Sequence, residues 1–430
     1  MKIKVSVVVL AACAFAGMGW RLGAIRAEAA DGDSAAAPSS AMRGDPARLE
    51  RIRAAAMPKI DRPVLFHTPE ADAVCAALEV FPPDNPWNLI VEDWPRHPRS
   101  DAIIASIGPE KPLRYNPDMG FVLVPPDQKR VDVKIVAYPG ESDPGPYPVP
   151  DCIPIEGWPG YYAQFAEKVP PLVEVQRSTA PGDRHGIVVD PVHRKLYEFF
   201  VLRLTDDGWQ ADQASVFDLT TNDLRPLGWT SADAAGLPIF PAVVRYDELR
   251  RGVVEHAMRV TVRRTRRAFV APATHYASPH TNPDYPRMGE RIRLKAGVDV
   301  SGFSPEVRVI LEGLKRYGMF VADNGIEWAI SVAPDPRIPN MHAELRKIRG
   351  ADFEVVLPPG EEPRPACGMS CRQLYRESSC LPPPLTFHVV SSMVSPVGHQ
   401  ISYPSETDAV LQRAATPLTY LRLPARFGPI

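Results

Sequence analysis

The chain has 430 residues, and 49 of them are proline, about twice the ordinary share of ~5 %. Hydrophobic residues make up 45 % of the sequence, and the formal net charge is −2. A chain of this composition has enough apolar material for a folded core. Its balanced charge argues against a nucleic-acid-binding protein, which normally carries a basic surplus.

Residues 1–30 are predicted to be a signal peptide or an N-terminal anchor. Lys2 and Lys4 precede an apolar run from Val5 to Trp20, which is short for a transmembrane helix but typical of a signal peptide. Cleavage after residue 16 or 29, lipidation at Cys13 and retention as an anchor all remain open. We therefore expect a periplasmic, extracellular or envelope-associated protein that contacts a membrane only through such an anchor.

Proline is concentrated on either side of the middle of the chain. A linker with a short helix is predicted over 31–57, a single β-rich domain over 58–357, and a tail containing proline and cysteine over 358–430. Residues 58–171 hold 22 prolines, whereas residues 172–357 hold 13. Because proline is excluded from central strands, we expect a Pro-rich arm over 58–171, extended from Pro139 to Pro171, and a regular core over 172–357.

Four helices are predicted from their first residues: short ones capped by Asp45, Thr68 and Ser100, and a longer one capped by Ser304 and ended by Gly318. Strands are predicted at 185–189, 195–204, 214–219, 243–246, 253–262, 268–270, 291–294, 319–322, 327–332 and 353–357. Many short strands with few helices favour a β-sandwich or a related, mostly β fold in a single domain.

Four common enzyme signatures are missing from the sequence. They are the Gly-x-Ser-x-Gly nucleophile turn, the Gly-x-x-x-x-Gly-Lys phosphate loop, the dinucleotide-binding Gly-x-Gly-x-x-Gly and the metalloprotease His-Glu-x-x-His. The sequence therefore gives no support for four classes of enzyme: lipase-like hydrolases, P-loop enzymes, nicotinamide-dependent enzymes and zincin proteases. The remaining candidates are polar residues placed inside or beside apolar strands.

One such group lies on a predicted hairpin. Asp183 and His185 lead into an apolar strand, and Glu198 lies on the strand that returns across the turn at 191–194. If the two strands pair, His185 and Glu198 share one apolar face. Burial there would raise the pKa of Glu198 toward the range useful for a general acid, and a buried ion pair with an arginine is an equal alternative.

The predicted strand over 253–262 carries a second candidate. Its alternation places His256 on the apolar face, either as a buried structural histidine or as a general acid or base. Arg259 falls on the opposite face with Glu255, where we expect a solvated ion pair.

The segment from Trp229 to Pro238 is the most distinctive local stretch. Ser231 is predicted to cap a single turn of small residues that ends at Gly236, where the backbone approaches a neighbour closely. Asp233 is then either a structural residue bonded to the backbone or a catalytic carboxylate on a rigid turn, with Trp229 as a stacking platform for sugar.

Two further polar segments follow along the chain. The basic run over 263–267 is predicted to be a solvated turn, or else to supply an arginine that binds an acidic sugar together with His275 and Tyr276. The sequence Asp323-Asn324-Gly325 is typical of a hairpin turn and, in second place, of a carboxylate site.

Beyond the leader, the cysteines are Cys75, Cys152, Cys367, Cys371 and Cys380. In an oxidising compartment we expect them to form disulfides, with one left over. A zinc site at the last three is less favoured because no histidine lies close to them.

Several segments share a resemblance. GWTSADAAGLPIFPAVVRY (228–246), FPPDNPWN (81–88), KAGVDVSGFS (295–304) and VADNG (321–325) resemble the signature of a widespread family of exported bacterial and fungal proteins. The resemblance covers roughly residues 80–357. It implies export and one continuous folded unit, and it assigns no catalytic residue.

Together these patterns predict an exported protein that acts on polysaccharide, as a glycoside hydrolase or lyase, with no cofactor and no metal. The candidate acid/base residues are Glu198, Asp233, His256 and His275. The candidate substrate-binding residues are Trp229, Arg245, Tyr276, Asp183 and His185. The alternatives are a non-catalytic carbohydrate-binding or cell-envelope structural protein and, third, a redox or metal protein that uses the C-terminal cysteines.

Overall fold

The computed structural model describes residues 44–358, so the predictions for the leader, for the tail beyond residue 358 and for its three cysteines lie outside the described residues. The helices in this range are α1 (Pro46–Ala54), α2 (Pro69–Ala77), α3 (Ser100–Ile107), α4 (Gly160–Phe165), α5 (Leu172–Arg177), α6 (Tyr246–Arg251), α7 (Pro305–Arg316) and α8 (His342–Leu345). The strands are β1 (Val64–Leu65), β2 (Arg114–Pro117), β3 (Val122–Leu123), β4 (Val133–Ile135), β5 (Gly186–Asp190), β6 (Lys195–Phe200), β7 (Arg203–Thr205), β8 (Gly208–Ala211), β9 (Gln213–Asp218), β10 (Met258–Val262), β11 (Arg291–Leu294), β12 (Met319–Asn324), β13 (Ala329–Val332) and β14 (Phe353–Val356).

A five-stranded sheet in the order β1-β3-β5-β6-β9 contains the predicted hairpin. Strands β5 and β6 pair antiparallel, with Ile187 opposite Glu198 and Val189 opposite Leu196. Since paired residues of an antiparallel ladder point to the same side, Glu198 shares a face with Ile187 and with His185, two residues earlier. The predicted hairpin and its shared face are therefore confirmed.

A six-stranded sheet in the order β14-β11-β12-β10-β13-β2 carries the other half of the core. Strand β10 pairs parallel with β12 on one side and antiparallel with β13 on the other. The hairpin predicted at Asp323-Asn324-Gly325 is therefore wrong, because β10 lies between the two strands that this segment joins. Asp323 instead lies within β12, opposite Thr261 of β10.

The two sides of the five-stranded sheet contribute to different cores. Side chains such as Ile187 and Val189 pack in the larger core with the six-stranded sheet and α7. Val188 and Phe199, on the opposite side, pack in a second core with the three-stranded sheet β4-β8-β7. Three mixed sheets with short helices thus form one β-rich domain.

The Pro-rich arm contributes strands to all three sheets. Strands β1, β2, β3 and β4 come from it, and all but β3 are edge strands. Pro117 ends β2, a position that costs little because an edge strand has a free side where no hydrogen bond is needed. The segment from Pro139 to Pro171 is not wholly extended, since it also contains α4.

Several local predictions need correction. The strands predicted at 243–246 and 268–270 are reduced to the single bridges Val244–Val332 and Phe269–Met288. The first ends early because Glu248 Oε2 accepts the Arg245 N–H at 2.9 Å and starts α6 instead. Strand β10 begins only at Met258, so His256 precedes it.

Two of the four predicted helix caps are present in the structure, and two are not. The side chains of Asp45 and Thr68 accept backbone N–H groups of the first turn of α1 and α2, as expected. Ser100 and Ser304 make other contacts: Ser100 Oγ accepts the Val355 N–H at 2.9 Å, and the Ser304 N–H bonds Glu344 Oε2 at 2.7 Å.

Cys75 and Cys152, the two cysteines in the described range, are both free. The disulfides expected from the sequence are therefore absent among residues 44–358. Among residues 44–358, no helix has the length and apolar character needed to cross a membrane.

Candidate active site

Arg259 and Asp233 form a buried, bidentate ion pair. Arg259 Nε and Nη2 donate to Asp233 Oδ2 and Oδ1, each at 2.8 Å. The residues are 3 % and 0 % exposed. The alternation along β10 correctly predicts that Arg259 and Met258 lie on different faces of the strand. The predicted solvated pair of Arg259 with Glu255 is wrong, because the 231–236 turn covers that face and Glu255 pairs with Arg51.

The turn that carries Asp233 is fixed by hydrogen bonds and by close packing. Ser231 Oγ accepts the Asp233 N–H at 3.0 Å and donates to the Leu237 carbonyl at 2.6 Å. Gly236 has a φ of +74°, and a Cβ built there would lie 2.0 Å from Thr274 Oγ1. The segment is a turn rather than a helix, and the predicted close approach at Gly236 is present.

The remaining terminal nitrogen of Arg259 is linked to a second carboxyl group through Ser331. Arg259 Nη1 donates to Ser331 Oγ at 2.8 Å, and Ser331 Oγ donates to Asp118 Oδ2 at 3.4 Å. Burial raises the pKa of Asp118 to about 7, with Arg259 opposing the shift. The other oxygen, Asp118 Oδ1, is buried without a hydrogen-bond partner.

Glu198 is held by the backbone rather than by an arginine. Both of its carboxyl oxygens lie 2.9 Å from the Ile239 N–H, and Oε1 also accepts the Phe240 N–H at 2.8 Å. Burial raises the pKa of Glu198 to about 8, against the effect of these two N–H groups. The expected rise of its pKa through burial is therefore present, whereas the alternative of an arginine bridge is not.

Glu156, Asp183 and His185 bring three potential ligand atoms together. One carboxylate oxygen of each acid and one ring nitrogen of His185 all lie within 4.8 Å of one another. His185 is 3 % exposed and its Nδ1 has no hydrogen-bond partner, whereas Glu156 and Asp183 are partly exposed. Burial, reinforced by the charge of Asp183, raises the pKa of Glu156 to about 8, and burial lowers the pKa of His185.

Asp323 joins these groups from the end of β12. Its Oδ1 accepts the Asn324 N–H at 2.6 Å, and the side chain is partly exposed. Burial raises the pKa of Asp323 to about 8, with the charges of Asp233 and Asp183 adding to the rise and Arg259 opposing it.

We call these residues the acidic cluster: Asp118, Glu156, Asp183, His185, Glu198, Asp233, Arg259, Asp323 and Ser331. Its six carboxyl groups interact with one another and with the Arg259 guanidinium. It therefore contains Glu198, Asp233, Asp183 and His185 of the predicted site. Sequence reasoning missed Asp118, Glu156 and Arg259, and took Asp323 first for a turn residue.

Two of the predicted residues belong to a separate ionic cluster. Arg245 bonds Glu248 Oε1 at 2.7 Å and Asp247 Oδ1 at 3.1 Å, and His256 Nε2 lies 3.0 Å from the same Glu248 oxygen. Although burial opposes it, Arg245 and His256 lower the pKa of Glu248 to about 2. This arrangement matches the interpretation of His256 as a buried structural histidine.

The remaining predicted residues, His275, Tyr276 and Trp229, lie beside the 231–236 turn. His275 Nδ1 donates to the Ala234 carbonyl at 2.8 Å, and its ring is parallel to that of Tyr276, with 5.7 Å between centroids. Trp229 lies under the Arg225 guanidinium, 5.6 Å from ring centroid to Cζ. All three rings are partly exposed, and their described contacts are with the turn and its neighbours.

Neither known protein families, nor curated proteins, nor solved structures yield a match to the chain. The resemblance to a family of exported proteins therefore stays a prediction, and the case for a function rests on the geometry of the acidic cluster.

Proposed function

We propose that the chain is an exported hydrolase that acts on polysaccharide, with the reaction at the partly exposed carboxyl groups of the acidic cluster. The observation that carries this proposal is that Asp183, Asp323 and Glu156 are partly exposed around the immobilised pair of Arg259 and Asp233. Hydrolysis of a glycosidic bond needs two such carboxyl groups, one that donates a proton and one that accepts a proton or attacks the sugar.

Exposure divides the carboxyl groups by role. Glu198 and Asp233 are each 0 % exposed, so neither can touch a substrate. Their hydrogen bonds to Ile239, Phe240 and Arg259 make them positioning residues. Of the three carboxyl groups that solvent reaches, we assign Asp183 and Asp323 to the substrate, because Glu156 Oε2 faces the His185 N–H at 3.4 Å.

The proposed step uses Asp323 as the acid and Asp183 as the base. Asp323 transfers its proton to the leaving glycosidic oxygen as the bond between that oxygen and the anomeric carbon breaks. A water molecule forms the new bond to the anomeric carbon and gives a proton to the Asp183 carboxylate. Proton exchange with solvent then restores both groups, and the raised pKa of Asp323, about 8, keeps it protonated at neutral pH.

The arginine favours hydrolysis of a neutral glycan over elimination from an acidic one. A lyase that removes a proton beside a sugar carboxylate needs a cationic group to neutralise that carboxylate. Nε, Nη1 and Nη2 of Arg259 already bond Asp233 and Ser331.

The test is a panel of neutral and acidic polysaccharides, with release of reducing ends by the purified chain as the readout. Asp183→Asn and Asp323→Asn should each lower the rate at least ~100-fold, since proton transfer by a positioned side chain contributes about that much. Asp207→Asn, the same change at an exposed turn residue, should not alter the rate. Unchanged activity in the two site variants would contradict the assignment, and binding of glycan without turnover would favour a non-catalytic carbohydrate-binding or envelope protein.

A further inference from the structure

We propose that Glu156, Asp183 and His185 form a binding site for one divalent cation of the manganese type. Two carboxylate oxygens and an imidazole nitrogen already lie within 4.8 Å of one another. Ligand atoms that share a cation at 2.0–2.2 Å are at most ~4.4 Å apart. Small side-chain rotations are thus sufficient to bring the three atoms onto one ion.

A buried nitrogen without a partner supports the site independently of the acidic residues. His185 is 3 % exposed, and its Nδ1 has no hydrogen-bond partner. A buried polar atom normally has a partner, because leaving it without one costs about 1–3 kcal/mol. A cation bound at His185 Nδ1 would remove that cost, since neutral imidazole is a common metal ligand through either nitrogen.

Backbone hydrogen bonds connect two of the three ligands, Glu156 and His185. The Glu156 N–H bonds the His185 carbonyl at 2.9 Å, and the His185 N–H lies 3.4 Å from Glu156 Oε2. His185 immediately precedes β5, so the hairpin fixes its ring against the larger core. Glu156 and Asp183 are partly exposed, which leaves a path for the ion and room for water ligands.

The charge of the cluster also favours a cation. Asp118, Asp233 and Asp323 lie around the group, and Arg259 is the guanidinium that these acids share. Because these carboxyl groups share a single guanidinium, a divalent ion would add a second positive charge beside them. One imidazole with two carboxylates suits a borderline-hard ion such as Mn²⁺ better than Ca²⁺, which prefers oxygen ligands alone.

The inference shares a site with the proposed hydrolase but does not need activity to be tested. In that reaction, the cation would lie where the attacking water gives up its proton, and a bound divalent ion lowers the pKa of water. If the hydrolase proposal fails, the cation site can still be present, because its binding is measured without substrate.

The experiment is calorimetric titration of Mn²⁺ into the full chain after treatment with a chelator. Mn²⁺ is the probe because the cysteine thiolates of the chain would compete for zinc. We expect one Mn²⁺ per chain with a Kd below ~100 µM, and at least a tenfold weaker Kd for both Glu156→Gln and Asp183→Asn. Asp323→Asn, which removes a neighbouring acid outside the three ligands, should change the Kd less than threefold.

Circular dichroism of each variant before titration separates loss of the site from loss of the fold. Both ligand variants replace partly exposed side chains by amides of the same shape, so they should keep the thermal transition of the parent. Absence of Mn²⁺ binding by the parent chain would overturn the proposal. Equal weakening by Asp323→Asn and by the two ligand variants would also overturn it, since that result indicates diffuse attraction by the acidic cluster.

Discussion

Removing the guanidinium of Arg259 should destabilise the fold more than removing the charge of its partner. Arg259→Met leaves Asp233 without two hydrogen bonds and Ser331 without one, and it leaves the neighbouring carboxyl groups without a compensating charge. Loss of one partner of a buried ion pair costs about 3–5 kcal/mol. Asp233→Asn keeps the shape and one acceptor, and other carboxyl groups still surround the arginine, so we expect about 1–3 kcal/mol.

Urea unfolding followed by tryptophan fluorescence measures both losses as changes in the free energy of unfolding. Arg250→Met is the matched control because Arg250 is exposed and its hydrogen bond is a 3.3 Å contact to the Tyr246 hydroxyl. Its effect on the free energy of unfolding should be much smaller than that of either buried substitution, as is usual for a surface change.

The loss caused by Arg259→Met should also depend on pH. Without the guanidinium, the pKa values of the buried carboxyl groups in the folded state rise further above their unfolded values. Such groups contribute stability that is present at low pH and is lost as the pH rises through the folded pKa. In the parent these groups ionise near pH 7–8, since the pKa of Asp118 is about 7 and those of Glu198 and Asp323 are about 8. The loss caused by the variant should therefore be smaller at pH 6 than at pH 9. Equal losses for Arg259→Met and Asp233→Asn, or a difference independent of pH, would refute the view of Arg259 as the shared counter-ion.

Two further predictions concern the turn and the proposed acid. Gly236→Ala should destabilise the fold by about 2 kcal/mol more than Gly228→Ala in urea unfolding: both glycines have positive φ, but a Cβ at 236 meets Thr274 Oγ1 at 2.0 Å and one at 228 meets nothing within 4 Å. Similar losses for the two variants would contradict the close approach at Gly236. Hydrolysis should fall as the pH rises through about 8, where Asp323 loses the proton it donates. A fall at that pH that persists in the residual activity of Asp323→Asn would assign it to another group.

Local patterns in the sequence determined the elements whose causes are local. The caps at Asp45 and Thr68 and the β5–β6 hairpin follow from residues a few positions apart. The strict alternation of side chains along paired strands then places His185 and Glu198 on one face. The raised pKa of Glu198 follows in turn, because that face is buried.

The tertiary structure decided what covers each face and which distant segments meet there. Alternation indicated that Arg259 points away from Met258, but only the packing of the 231–236 turn makes that side a buried one with Asp233 as partner. Glu156 lies in the Pro-rich arm, where no periodic pattern marks it. Asp323 looks like a turn residue in the sequence, because the pairing of β10 between β12 and β13 is long-range and leaves no local signal. Periodicity records the orientation of a side chain relative to its own strand and carries no information about strand order. The acidic cluster therefore exists only where the chain folds back on itself.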